Sequence, residues 1–352
     1  MEKHNIRVGI TMGDINGIGP EIIIKALADT RYFSDFTPII YGSAKVMSFH
    51  KKAIDDQYFN FQSVKNADEA KPKKVSVINC WNEEVQITLG ESNTIGGEYA
   101  FKSLEAATKD LAANKIDVLV TAPINKKSIQ DAGFKFPGHT EYLADLANVK
   151  EALMLMVYDN LRVALVTAHE PLKDVAAKIS KESVTHKINQ LHQSLTKDFG
   201  IRRPKIAVLG LNPHAGERGN MGDEEINHII PAIGECKSKE MLVYGPYAAD
   251  SFFGSENLKN FDGIVAMYHD QGLTGFKSIA FGNGVNYTAG LPIVRTSPDH
   301  GTAMDIAGKN IAKENSFRNA IFLALDVYKN RMLEKEITAN PLKVQKSELK
   351  ND

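Results

Sequence analysis

The sequence predicts an α/β fold, a layered α/β/α subunit of two domains built on a largely parallel sheet. Short apolar runs alternate with amphipathic segments along the chain, as in sheets that are covered by helices. The chain has 352 residues, which is long for a single hydrophobic core. The turn-forming pair Asp159-Asn160, set between two apolar runs, adds at least one antiparallel hairpin.

Four apolar runs in the first third of the chain predict strands: 6–12, 37–41, 75–79 and 116–120. The glycine-rich segment 13–19 ends the first strand and leads into a helix over 20–28, whose first turn accommodates Pro20. The apolar spacing over 95–114 predicts a long amphipathic helix. The run 116–120 is apolar apart from Asp117, and a short apolar run of this kind is typical of a strand buried in a parallel sheet.

The rest of the chain alternates in the same way. Apolar runs predict strands at 152–158, 161–166, 205–209 and 264–267, and helices are expected over 182–199, from Gly222, and over 317–333. The helix from Gly222 has an acidic first turn, which suits the positive end of the helix dipole. The polar residues 268–272 follow the strand 264–267, which places His269 at a cleft past the end of the strand; a surface histidine on a turn is the alternative.

Composition excludes several classes of function. The formal net charge is −1, so no overall field favours nucleic acid or an anionic membrane as a partner. Cys80 and Cys236 are too few for a disulfide framework and are not spaced as metal ligands. The chain has no Walker loop, dinucleotide fingerprint or serine-hydrolase elbow. It starts without an apolar signal region and has no run of about 18 apolar residues, so we expect a cytoplasmic protein.

Three histidines share one local pattern. His169, His214 and His269 each lie two to five residues past a predicted strand end. Parallel strands would place all three along one edge of the sheet, where α/β proteins bind ligands. Three imidazoles with open coordination positions suit a catalytic divalent metal such as zinc. Their separations match no local metal motif, so three unrelated turn histidines bonded to backbone remain the alternative.

Two further segments suit anionic ligands. Thr140 is placed to cap a helix that starts near Glu141, which leaves His139 beside a helix N-terminus able to bind phosphate or carboxylate. Pure capping is the alternative there.

The second segment, 276–309, supplies two cations and an amide of the kind that a phosphorylated or carboxylated substrate needs: Lys277, Arg295 and Asn286. Asp305 follows in a glycine-flanked loop and suits a ribose diol. A solvated loop is the alternative for each of these residues.

Taken in order, the motifs resemble the 4-hydroxythreonine-4-phosphate dehydrogenase family of pyridoxal phosphate biosynthesis. They lie at 13–21, 121–126, 138–141, 167–171, 212–217, 245–246 with 249–250, 268–272 and 298–308. Each motif is weak alone, but the ordered set covers most of the chain. One departure is Ile15, since the family commonly has a proline after the acidic residue of its first loop.

The resemblance implies a homodimer with a fold like that of isopropylmalate and isocitrate dehydrogenases, and a cleft that the partner subunit partly closes. It implies a divalent metal (Zn, Mg or Co) held by His169, His214 and His269 from both subunits. His139, Thr140, Lys277, Asn286 and Arg295 fall on substrate-contact positions, and His300, Gly301 and Asp305 fall on a cofactor loop. Asp305 favours NAD, because related enzymes that bind the 2′-phosphate of NADP tend to lack an acid here, although NADP use remains open.

The same resemblance divides the chain into three parts. Residues 1–125 with 280–340 are expected to form a cofactor-side domain, and 126–279 a central domain for metal binding and dimerisation. A polar tail is expected at 341–352.

The implied reaction is oxidation of 4-phosphooxy-L-threonine at its C3 hydroxyl. The product, 2-amino-3-oxo-4-phosphooxybutanoate, would lose carbon dioxide to give 3-amino-2-oxopropyl phosphate. The proton acceptor is left open among Lys277, Asp250, Asp270 and His139. Two alternatives stand: a paralogous dehydrogenase of a four-carbon sugar-acid phosphate or an aromatic dihydrodiol, and a non-catalytic metal- or nucleotide-binding protein.

Overall fold

The computed structural model describes residues 5–340, which contain one large sheet. Its strands are β1 (Ile6–Thr11), β2 (Phe36–Gly42), β3 (Phe61–Val64), β4 (Val75–Asn79), β5 (Val118–Thr121), β6 (Leu153–Tyr158), β7 (Leu161–Leu165), β8 (Lys205–Leu209), β9 (Leu242–Tyr247), β10 (Gly263–Ala266), β11 (Val285–Ala289) and β12 (Arg295–Pro298).

Helices connect the strands and cover the sheet. They are α1 (Gly19–Leu27), α2 (Ala44–Ala53), α3 (Thr94–Ala112), α4 (Lys126–Asp131), α5 (His139–Leu146), α6 (Leu172–Lys178), α7 (Lys181–Lys197), α8 (Ile230–Ser238), α9 (Ala249–Phe253), α10 (His269–Ala280) and α11 (Asn315–Ala339). A π-helical turn, Glu225–Ile229, leads into α8, and 3-10 turns include Pro213–Arg218 and Met304–Ile306. Within residues 5–340, no helix combines the length and apolar character needed to cross a membrane.

The direction of the strands changes at the centre of the sheet. The strand order is β3-β4-β2-β1-β5-β12-β11-β6-β7-β10-β8-β9. The strands from β3 to β12 in this order are parallel, and so are those from β7 to β9. Between them, β11 and β6 pair antiparallel with both of their neighbours. Because open α/β sheets bind ligands where their topology reverses, this central part is where a site is expected.

Both faces of the sheet are buried, which gives the layered α/β/α arrangement. In β2, Ile40 packs in one core cluster with Val8 and Ile10 of β1. Ile39 and Tyr41 point to the opposite face and pack in a second cluster with apolar residues of α3 and α5. Alternate side chains of β2 therefore enter two different cores, as expected for a strand of a parallel sheet covered on both faces.

The predicted α/β class and its largely parallel sheet are confirmed. The runs 75–79 and 205–209 coincide with β4 and β8, and the hairpin around Asp159 (φ 50°) joins β6 to β7. The two-domain division stays a prediction, since all twelve strands belong to one sheet. The polar tail 341–352 lies outside the described residues.

The turn that was the alternative for His269 does not form, because α10 begins at this residue. Polar and glycine residues in its first turns lower its apparent helical character. The glycine is there for packing: a Cβ on Gly272 would lie 2.7 Å from Cδ2 of Leu165. The helix therefore lies close against β7, which fixes His269 at the edge of the sheet.

Candidate active site

A cavity of about 290 Å³ lies over the antiparallel centre of the sheet. Asn286 of β11 pairs with Met156 of β6 and Ser297 of β12, and all three line the cavity. The five predicted substrate residues line it too: His139, Thr140, Lys277, Asn286 and Arg295. Two predicted metal ligands, His169 and His269, and two predicted cofactor residues, His300 and Gly301, complete this set.

Arg295 is a buried cation with no carboxylate in ion-pair contact within residues 5–340. Arg295 is 3% exposed, and its guanidinium donates hydrogen bonds to hydroxyl groups. Thr121 Oγ1 accepts from Nε (3.1 Å) and Nη2 (2.6 Å), and Thr288 Oγ1 accepts from Nη1 (3.0 Å). Burial lowers the pKa of Arg295 to about 10, while the charge of Glu141 acts in the opposite direction. Burying an unpaired charge is costly, so this arrangement indicates an anionic ligand.

His139 is held by Arg295 as a hydrogen-bond donor to the cavity. It is the first residue of α5, and the N-cap is Gly138, so the prediction that Thr140 caps this helix is wrong. Arg295 Nη2 lies 3.2 Å from His139 Nδ1, and a guanidinium can only donate. Nδ1 is therefore the acceptor, and Nε2, which is buried and has no partner within the described residues, carries the hydrogen. Burial, reinforced by the charge of Arg295, lowers the pKa of His139 well below its usual value.

Two buried acceptors complement these donors. Asn286 Oδ1 and His300 Nε2 have no hydrogen-bond partner within the described part of the chain. His300 Nδ1 lies 3.0 Å from the Gly301 carbonyl, which can only accept, so Nε2 of the neutral ring is a lone-pair acceptor. The cavity therefore offers both donors and acceptors to one ligand.

His169 and His269 lie together at the edge of the cavity. Their ring centroids are 6.4 Å apart, and Asp270 Oδ1 lies 2.7 Å from His269 Nδ1. A carboxylate on the second nitrogen is the usual way to orient a metal-binding imidazole. Burial lowers the pKa of His169, the charges of Lys126 and His269 add to this, and Glu141 opposes it. A lowered pKa favours the neutral ring, which is the metal-binding form.

His214 lies outside this cavity in its own chain. As predicted, β7, β10 and β8 are parallel neighbours, so the three histidine-bearing loops do leave one edge of the sheet. Yet residues 5–340 contain no group of three His, Cys, Asp or Glu side chains placed to hold a metal ion. Convergence of the three imidazoles on one cation therefore stays a prediction, and in one chain only His169 and His269 are neighbours.

The loop that carries His214 has an unusual backbone. Six consecutive residues, 214–219, have positive φ, and four of them are not glycine. Left-handed backbone costs roughly 1–2 kcal/mol for each non-glycine residue, so surrounding structure must hold the loop. Gln271 contributes, because its side chain accepts from Met267 N and donates to the Gly210 carbonyl, both at 2.7 Å. The element that carries His269 is thereby tied to the start of the loop that carries His214.

The remaining predicted residues also lie away from the cavity wall. Asp250 is in α9, which lies beside the Pro213–Arg218 turn. Asp270 is exposed (84%) and contacts His269 only through the bond given above. Asp305 is exposed in the Met304–Ile306 turn, in a loop that the first glycine-rich segment supports through the bond from Ile18 N to the Thr302 carbonyl (3.0 Å).

Comparison with known proteins gives the family. The family described as "Pyridoxal phosphate biosynthetic protein PdxA" matches residues 34–324. The chain belongs to this family. A 4-hydroxythreonine-4-phosphate dehydrogenase of Bacteroides thetaiotaomicron is 51% identical over 353 residues, covering 100% of this chain and 97% of the relative. A D-threonate 4-phosphate dehydrogenase of Cupriavidus necator is 40% identical over 318 residues, covering 89% and 95%.

A solved structure agrees. The 4-hydroxythreonine-4-phosphate dehydrogenase of Klebsiella pneumoniae superposes with a TM-score of 0.80 at 35% identity, covering 93% of this chain and 99% of that one. These matches confirm the predicted family and confirm that the chain is a dehydrogenase, an oxidoreductase.

Sequence reasoning missed several residues of this PdxA-family cavity. Thr121, Lys126, Glu141, Ser297 and Asp299 line it but were not predicted as site residues. Thr121 ends β5, so the rule that pointed to histidines after strand ends also applies to it. Nothing in the sequence indicates that Thr121 is the hydroxyl that orients Arg295.

Proposed function

We propose that this PdxA-family chain catalyses the NAD-linked oxidation of 4-phosphooxy-L-threonine at its C3 hydroxyl. The keto acid formed, 2-amino-3-oxo-4-phosphooxybutanoate, then loses carbon dioxide to give 3-amino-2-oxopropyl phosphate. The observation that carries the proposal is Arg295, a buried guanidinium with no carboxylate partner in the described chain, set beside the N–H donor of His139. Such a pair suits a substrate phosphate.

The phosphate would be bound by groups that are already oriented. Thr121 and Thr288 hold the guanidinium fork of Arg295, so it loses little freedom on binding. Hydrogen bonds from charged donors contribute about 1.5–3 kcal/mol each. Holding the phosphate fixes the position of C3 relative to the cofactor, which is how binding energy lowers the barrier.

A divalent metal fits the two neighbouring imidazoles. His169 and His269 would supply two ligands, and His214 of a second subunit the third. Support comes from the positions of His214 and Asp250, which lie outside the cavity of their own chain in two elements that contact each other, the Pro213–Arg218 turn and α9. The metal, when bound, supplies Lewis acidity toward the alcohol oxygen. Zn, Mg and Co all remain candidates, and the proposed assembly is a homodimer with a shared site.

The hydrogen bonds of the site reduce the number of residues that could accept the proton. His139 is removed from the candidates, because its Nδ1 is occupied by Arg295 and its Nε2 bears the hydrogen. Asp270 lies outside the cavity wall of its own chain, whereas Lys277 lines it. In the proposed shared site Asp250 of a second subunit would enter together with His214. We therefore assign Lys277 and this Asp250 as the two groups able to hold the proton of the C3 hydroxyl.

NAD is the proposed cofactor, with NADP as the alternative. Asp305 is exposed on the loop that the glycine-rich segment supports, where a carboxylate suits a ribose diol and repels a 2′-phosphate. A cytoplasmic location remains part of the proposal.

A second candidate is the oxidation of D-threonate 4-phosphate, which the similarity to the Cupriavidus necator enzyme favours. The two substrates share the phosphate that Arg295 would bind. The test is cofactor reduction by the purified chain with NAD or NADP, each divalent metal, and a panel of alcohols. The panel contains 4-phosphooxy-L-threonine, D-threonate 4-phosphate, an aromatic cis-dihydrodiol and unphosphorylated 4-hydroxy-L-threonine.

We expect the highest kcat/KM with 4-phosphooxy-L-threonine. A higher value with D-threonate 4-phosphate would replace the proposed substrate. Preference for the dihydrodiol would remove the phosphate role of Arg295, and no reduction with any alcohol would support a non-catalytic binding protein.

A further inference from the structure

Glu225 is a buried carboxylate at the base of the loop that carries His214. It is 1% exposed and lies in the π-helical turn before α8. One oxygen, Oε1, accepts from the backbone N–H groups of Leu211 (2.7 Å) and Asn212 (2.8 Å). The other, Oε2, accepts from Asn212 Nδ2 at 3.0 Å. Three donors from two consecutive residues therefore converge on one side chain.

The loop is also shaped around this carboxylate. A Cβ on Gly210 would lie 3.0 Å from Glu225 Oε1, and a Cβ on Gly216 would lie 2.5 Å from Oε2. Gly216 is itself in the left-handed region, with φ of 78°. The glycines thus let the backbone approach Glu225 on both sides of His214. The carboxylate holds the start of the loop and packs against its middle.

What this arrangement presents is an exposed imidazole on a left-handed backbone. His214 (φ 53°) lies two residues after Asn212, and its side chain is exposed. A backbone in this region reverts to commoner conformations unless the surrounding structure over-determines it. Without the anchor, the direction in which His214 projects from its own chain would no longer be fixed.

We infer that Glu225 is a positioning residue that acts through His214, holding the loop so that this imidazole reaches the metal site shared between subunits. Its contribution to catalysis rests on the proposed function, whereas its hold on the loop does not. The carboxylate itself is too deeply buried to touch the substrate, so its effect must pass through the loop.

The test uses the full-length chain in three variants. Glu225→Met keeps the side-chain length but removes both acceptors. Glu225→Gln keeps one acceptor oxygen and serves as the conservative rescue. Asp223→Asn changes an exposed acid in the same acidic segment and is the matched control. Hydrogen exchange of the Leu211 and Asn212 amides, cobalt(II) affinity and the steady-state constants are measured for each, with thermal melting to establish folding.

We expect Glu225→Met to raise exchange at Leu211 and Asn212 by about tenfold or more while exchange in β1 and β5 is unchanged. Cobalt(II) affinity and kcat should fall by about tenfold or more, with KM for NAD within about twofold of wild type. Glu225→Gln should recover most of the loss. If Glu225→Met fails to fold, Glu225→Gln still tests the idea, because its two amides should exchange faster than those of Asp223→Asn.

A double-variant cycle separates positioning from a general structural role. His214→Ala alone should weaken cobalt(II) binding, and adding Glu225→Met should weaken it no further. Additive losses would overturn the inference, as would unchanged exchange at the two amides. If wild type binds cobalt(II) but oxidises no alcohol, the proposed function fails while the cycle still decides the role of Glu225.

Discussion

Thr121→Val tests the orientation of Arg295 with minimal change in shape. The hydroxyl of Thr121 is the shared acceptor for Nε and Nη2 of a guanidinium that is buried and has no carboxylate partner within residues 5–340. Removing it leaves two charged N–H donors short of an acceptor. Hydrogen bonds of this kind contribute about 1.5–3 kcal/mol, and about 1.4 kcal/mol corresponds to a factor of ten in rate.

The expected result is therefore a fall of about 10- to 150-fold in kcat/KM for the phosphorylated substrate. Thr296→Val is the control, because this hydroxyl lies on the next residue of β12 and donates to the Ala320 carbonyl (2.7 Å), away from the cavity. It should lower the melting temperature and leave kcat/KM unchanged. Equal kcat/KM values for Thr121→Val and wild type would refute the view that this hydroxyl orients the guanidinium.

Further predictions concern the metal, the cofactor and pH. His214→Ala and His269→Ala should each abolish turnover and lower metal content with the circular dichroism spectrum unchanged; full turnover by either metal-free variant would refute the assignment. Asp305→Ala should reduce the preference for NAD over NADP, and unchanged Kd values for both cofactors would remove Asp305 from the site. His50 is buried, its Nε2 lies 2.8 Å from the Ile15 carbonyl, and burial lowers its pKa from 6.5 to about 4. Since the unfolded chain takes up this proton first, the stability that neutral His50 contributes is complete above pH 6.5 and is lost as pH falls toward 4. The loss is about 2 kcal/mol at pH 5, measurable as a steeper acid dependence of the unfolding free energy in wild type than in His50→Gln.

Local pattern predicted much of the fold because strands and turns are short-range features. The strand 205–209 and the hairpin at Asp159 were placed to within a residue or two. The helix that begins at His269 could not be predicted from local pattern. It contains Gly272, a poor helix former, at a position where only a glycine fits against Leu165. Tertiary contact overrides helix propensity at that position.

In the candidate site too, features that depend on local sequence were predicted and features that depend on long-range packing were not. Residue type and position after a strand pointed to His169 and His269, which are neighbours in the structure. Sequence could not show that Arg295 lacks a carboxylate partner in the described chain or that His214 lies outside its own cavity, because both depend on long-range packing. Glu225 was not predicted for the same reason, because its hydrogen bonds with Leu211 and Asn212 form only when the chain is folded.

The central claim is that a buried guanidinium, which has no carboxylate partner in the described part of the chain, selects a phosphorylated substrate. The most direct measurement is the ratio of kcat/KM for 4-phosphooxy-L-threonine to that for 4-hydroxy-L-threonine, in wild type and in Arg295→Met. We predict a ratio of about a hundred or more in wild type, since two or more charge-assisted hydrogen bonds to the phosphate, each of about 1.5–3 kcal/mol, are lost with the second substrate, and a ratio lower by about tenfold or more in the variant. A variant that folds and keeps the wild-type ratio would contradict the claim.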